Sequence, residues 1–132
     1  MNRALLILAA LAGTATPFTT FAQDDSEGIF RKAQSYTVRV KTSVPVPFSG
    51  DNRSTLLGAG FVVDAGRGWI MTNAHVVSRS PARVQVAFHG QEFGPARKVY
   101  VDPFLDLAVI EAGPSDGRAL AAAQLDCHEL PA

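Results

Sequence analysis

The sequence predicts an all-β fold, a small barrel or sandwich. Three observations carry that prediction. Apolar and polar residues alternate with a period of two in Tyr36 to Val44 and again around Val84 to Phe88, the mark of half-buried strands. Five or six such short segments follow one another with turns at ~8–12-residue spacing. Eleven Gly and eight Pro are spread along the 132 residues, enough to supply those turns.

The elements follow in order. Residues 1–22 read as a secretory signal peptide: Arg3 forms a short basic region, Ala4 to Ala12 is apolar, and Thr20-Phe21-Ala22 suits cleavage after Ala22. The apolar run is about half of the ~20 residues that a membrane span needs, so no membrane span is expected in the mature chain. A periplasmic or secreted location follows. Residues 23–35 form a polar N-terminal arm, either loose or a short helix. Tyr36 to Val44 is a strand, with Val38 and Val40 on one face and Arg39 and Lys41 on the other. Pro45 to Arg53, with two prolines and a glycine, is a loop. Thr55 to Asp64 is a buried strand bent at its glycines, and Ala65 to Gly68 turns it back into Trp69-Ile70-Met71. Val84 to Phe88 and Phe93 to Val101 form a further pair around His89-Gly90-Gln91, and Leu107 to Glu111 is the last strand. Ala-rich Arg118 to Leu125 is the one strong helix candidate. Trp69, Phe61 and Phe88 are expected in the core, and Arg97-Lys98 on a solvated strand face.

Composition excludes several function classes. Twelve Lys+Arg balance twelve Asp+Glu, so no net field draws nucleic acid. Hydrophobic residues at 47% against 18% charged argue for a packed domain rather than disorder. The single cysteine, Cys127, excludes an internal disulfide framework. It reads as a small buried apolar residue rather than a reactive thiol, with a link between chains left open in an oxidising compartment.

Two residues stand out chemically. His75 follows a strand directly in Trp69-Ile70-Met71-Thr72-Asn73-Ala74-His75, and Asp106 precedes another in Asp106-Leu107-Ala108-Val109. A carboxylate holding one imidazole N–H fixes the tautomer and leaves the other nitrogen as a general base. Asp102, before Pro103, reads as turn chemistry and is the fallback partner for His75. Gly113-Pro114-Ser115-Asp116-Gly117 matches the G-x-S-x-G pattern, but its composition is that of an ordinary turn. His75, His89, His128 and Cys127 lack the spacing of a chelate, so no metal site is expected.

Gly58-Ala59-Gly60-Phe61-Val62-Val63, Ile70-Met71-Thr72-Asn73-Ala74-His75-Val76-Val77 and Asp106-Leu107-Ala108-Val109 together resemble trypsin-like serine proteases, most closely the HtrA/Deg type of the bacterial periplasm. The resemblance implies that residues 36–132 form the first, N-terminal six-stranded antiparallel β-barrel of a chymotrypsin-type fold. It implies His75 as catalytic base and Asp106 as its orienting acid, polypeptide substrates (unfolded or misfolded proteins), no cofactor, and a homo-oligomer as one state open to the full-length protein. The family's Gly-Asn-Ser-Gly-Gly-type nucleophile segment does not occur in the sequence. The chain is therefore expected to be a fragment that is inactive unless the serine-bearing half is supplied. The alternative is a non-catalytic β-barrel binding protein derived from a protease.

Overall fold

In a computed structural model, the described residues are 23–113 and 120–125. The signal peptide assigned to residues 1–22 lies outside them, as do Cys127 and His128.

Six strands close into one antiparallel barrel. They are β1 (Thr37–Val44), β2 (Ser54–Asp64), β3 (Trp69–Thr72), β4 (Arg83–Phe88), β5 (Gly94–Asp102) and β6 (Leu107–Ala112), running around the wall in the order β1-β2-β3-β6-β5-β4. Helix α1 (Gln23–Gln34) precedes them, and a single turn, α2 (Ala74–Val77), follows β3. Closure leaves no edge strand exposed to another chain, because β1 pairs with both β2 and β4.

The alternation seen in the sequence becomes the inside and outside of the wall. Val38, Val40, Thr42 and Val44 of β1 point inward while Thr37, Arg39 and Ser43 are exposed. Val62, Ile70, Val84, Val86, Ala108 and Ile110 complete the core, and Val76 and Val77 of α2 plug one end of it. The Thr42 hydroxyl is buried among these aliphatic groups with no hydrogen-bond partner among the described residues.

Two glycines let neighbouring elements approach β2. A Cβ on Gly58 would lie 2.5 and 2.7 Å from the Val76 methyl carbons. A Cβ on Gly60 would lie 2.8 Å from the Met71 carbonyl oxygen. The glycine-rich run is therefore where α2 and β3 pack directly on backbone.

Three expectations are corrected. The helix expected over 118–125 is not formed where the chain is described: residues 120–125 are irregular, and the Ala123 N–H donates to the Val62 carbonyl at 2.8 Å instead. A bond to β2 replaces the bond within a helix that is too short to support itself. Phe61 and Trp69 are half-buried outside the core cluster, whereas Phe88, also half-buried, packs against it; Trp69 carries the Arg67 guanidinium 4.6 Å from its ring centroid. Lys98 is half-buried rather than on a solvated face, and its ammonium donates to the Ser78 and Ser80 carbonyls.

Candidate functional site

His75 is the second residue of α2, and Asp106 is the last residue before β6. β3 and β6 are adjacent antiparallel strands, with Thr72 opposite Ala108, so the end of one and the start of the other are neighbours in space. Two residues 31 apart in sequence thus meet at one rim of the barrel.

The contact is made through both carboxylate oxygens. Oδ2 of Asp106 lies 2.8 Å from Nδ1 of His75, and Oδ1 accepts the His75 backbone N–H at 2.9 Å. The ring contact selects the tautomer with its proton on Nδ1, and Nε2 is then an acceptor. Asn73 adds its amide, donating at 3.2 Å to both the Asp106 carbonyl and Oδ2. Asp106 adopts φ 51, a conformation that Asp tolerates better than most side chains. The His75 backbone and ring N–H groups, helped by Asn73, hold the Asp106 carboxyl below the usual aspartate range against a smaller opposing effect of burial. The pair is open to solvent, with side-chain exposures of 70% for His75 and 46% for Asp106.

Asp102, the fallback partner, does not face His75. Its Oδ1 accepts the Phe104 and Leu105 backbone N–H groups at 2.9 and 3.0 Å, the Asx turn that its position before Pro103 suggests. His89 is exposed in the β4–β5 connection, and no group of three or more metal-ligating side chains converges among the described residues. Pro114 to Gly117 of the G-x-S-x-G match lie outside the described residues.

A cleft of about 370 Å³ opens beside the pair, lined by His75, Asp106, Asp51, Ser78, Arg79 and Pro103 among others. Sequence reasoning missed its second set of polar groups. Asp51 Oδ2 accepts the Ser78 hydroxyl at 2.8 Å and the Ser80 hydroxyl as well. Those two bonds, with the Arg79 charge, hold the Asp51 carboxyl below its ordinary value. The one available signal was Lys98 itself: in a strand, neighbours point to opposite faces, so Arg97 and Lys98 cannot both be solvated.

The sequence matches the family model described as "Trypsin-like peptidase domain" over residues 58–132. The chain is 36% identical over 99 residues to a protein named "Pro-apoptotic serine protease NMA111" from Meyerozyma guilliermondii, covering 70% of this chain and 10% of that protein. It is 32% identical over 103 residues to the protein of the same name from Lodderomyces elongisporus, covering 78% of this chain and 10% of that one. For the Pyricularia oryzae protein of that name the identity is 34% over 88 residues, covering 67% and 9%. The chain thus spans about a tenth of the length of these curated relatives. The expected periplasmic or secreted location is corrected by the same matches, because these relatives are fungal NMA111 proteins, which are not periplasmic. The closed six-stranded barrel, the three sequence motifs and the match over more than half of the chain agree: the chain belongs to the family of trypsin-like peptidase domains.

Proposed function

We propose that this chain carries the general-base half of a serine-type endopeptidase site, with His75 as the base and Asp106 as the group that orients it. The observation that carries the reading is the double hold of Asp106 on His75, one oxygen on the ring and one on the backbone N–H. In this reading Nε2 takes the proton of an attacking serine hydroxyl and returns it to the leaving amine. Asp106 stabilises the imidazolium that forms between those two steps, without itself taking the proton. Asn73 steadies Asp106. The serine and the oxyanion donors come from chain outside the barrel, and no metal or organic cofactor takes part. The substrates are polypeptides, and the HtrA-type resemblance favours unfolded or misfolded ones.

The test is hydrolysis of casein by the full-length protein, with labelling by a serine-directed fluorophosphonate. His75→Ala is expected to lower kcat by about 10⁴-fold or more, as removal of one member of a triad does, with Asp106→Asn falling nearly as far. Hydrolysis that survives His75→Ala would overturn the assignment. Absence of both hydrolysis and labelling in the unmodified full-length protein would favour a binding barrel that has lost its chemistry.

A further inference from the structure

We infer that Asp51 and Lys98 are positioning residues for His75: they grip Ser78 and Ser80 from two sides and so hold the helix on which His75 stands. The reading deepens the proposed role of His75 and rests on it for its chemical meaning.

Helix α2 cannot hold itself. It is four residues long, its N-cap Asn73 makes no side-chain capping bond, and the Val76 N–H reaches the Asn73 carbonyl at 3.2 Å. One turn of helix does not offset its own ordering entropy. Val76 and Val77 anchor its apolar side in the barrel, and Asp106 takes the His75 N–H at its start. The exit is the remaining problem.

That exit is strained. Ser78 has φ 55 and ψ 153, a region that side chains rarely occupy and that persists only where surroundings over-determine it. Here they do. Asp51 Oδ2 accepts from the Ser78 and Ser80 hydroxyls. The Ser78 hydroxyl also accepts the Ser80 N–H at 3.0 Å, and the Ser80 hydroxyl accepts the Phe48 N–H at 2.9 Å. From the β5 side, the Lys98 ammonium donates to the carbonyls of Ser78 at 2.9 Å and Ser80 at 2.6 Å. Ser80 is fully buried, so its N–H bond to the Ser78 hydroxyl is shielded from competing water, while the Asp51 and Lys98 bonds are partly buried. Desolvation pulls the Lys98 pKa down while the Asp51 charge opposes it, which marks the ammonium as part of a built network. The clamp and the His75–Asp106 pair border the same cleft, yet no hydrogen bond joins Asp51 or Lys98 to His75 among the described residues.

The experiment is NMR on the chain with ¹⁵N-labelled histidine and backbone amides, comparing wild type with Asp51→Ala and Lys98→Met. The expected result is at least tenfold faster exchange of the His75 and Val76 amides in each variant, with the amides of Val40, Ile70 and Ile110 unchanged. The His75 ring nitrogens are expected to move from the pattern of a single Nδ1–H tautomer toward averaged values. Exchange within twofold of wild type at His75 and Val76, in a variant whose strands keep their protection, would overturn the clamp. If Asp51→Ala fails to fold, Lys98→Met decides, since it leaves every Asp51 bond intact. A wild-type His75 that already averages its tautomers would sink the His75–Asp106 reading itself, while the amide rates would still judge the clamp.

Discussion

Gly58 lies in β2 opposite Val40, and its missing side chain is what admits Val76, the residue after His75. In Gly58→Ala the new methyl carbon would stand 2.5, 2.7 and 3.2 Å from the Val76 Cγ2, Cγ1 and Cβ atoms. Carbon pairs rest at about 3.5–4.0 Å, so α2 or β2 must give way by about 1 Å. Val76 cannot swing aside, because a β-branched residue in a helix has one strongly preferred rotamer, and here it is buried. Overpacking of this kind costs about 1–3 kcal/mol. For a domain of this size that is a fall in Tm of roughly 5–20 °C, read by far-UV circular dichroism and the fluorescence of the single Trp69. Val76→Ala alone removes two buried methyls and costs on the order of 2 kcal/mol. It also removes the two nearest colliding atoms, so the double variant should be more stable than the sum of the singles by about 0.5–3 kcal/mol. A Gly58→Ala protein that melts with the wild type would refute the reasoning, and so would strict additivity in the double variant.

Three other perturbations test separate parts of the structure. Because the folded state lowers the Asp106 pKa, its stabilisation is present above the unfolded value near 3.8 and is lost as pH falls through the folded one. The Tm difference between wild type and Asp106→Asn should therefore shrink only below about pH 4, and a difference that stays flat down to pH 2 would contradict the hydrogen bonds assigned to it. Thr42→Val removes a buried hydroxyl that has no partner among the described residues and should raise stability by about 1 kcal/mol; a comparable loss in urea unfolding would mean that the hydroxyl is satisfied. Arg97 and Glu111 pair across β5 and β6 at 2.5 Å, but Arg97 is two-thirds exposed. Arg97→Ala should then change stability by less than about 1 kcal/mol, with the difference fading in high salt.

The strands were legible because alternation is a physical consequence of a wall with one wet and one dry face. β1 and β4 announce themselves through Val38, Val40, Val84 and Val86, and β2 through its apolar glycine run. The residues left closure open between a barrel and a sandwich, since pairing β1 with β4 and β3 with β6 joins segments far apart in sequence; the family resemblance chose the barrel. Helix α2 was invisible because four residues carry no period. The helix expected at 118–125 failed for the opposite reason: alanine supplies propensity, but propensity over two turns is weaker than one bond to the Val62 carbonyl. His75 and Asp106 were singled out through their motifs, and the fold brings them together. Asp51 was not, because a loop aspartate gives no pattern until the fold brings Ser78 and Ser80 to it.

Where the strain lies bears on what the site is for. Among the described residues, Ser78 and Asp106 are the two non-glycine residues with positive φ. One terminates the helix that carries His75, and the other holds His75 by ring and backbone. A fold selected for stability alone would place glycine at such positions. Nor does the His75–Asp106 contact compensate as an ion pair, because a pair this exposed to water adds little to folding. Strain at Ser78 and a positive φ at Asp106, on two sides of one solvent-facing imidazole and with little stability returned, fit the role proposed for His75. Alanine at either position would remove the hydroxyl or carboxylate that over-determines the conformation and leave the strain in place. The orientation of His75 should therefore be lost before the barrel is, because the valine core lies on the other side of α2 and depends on neither group.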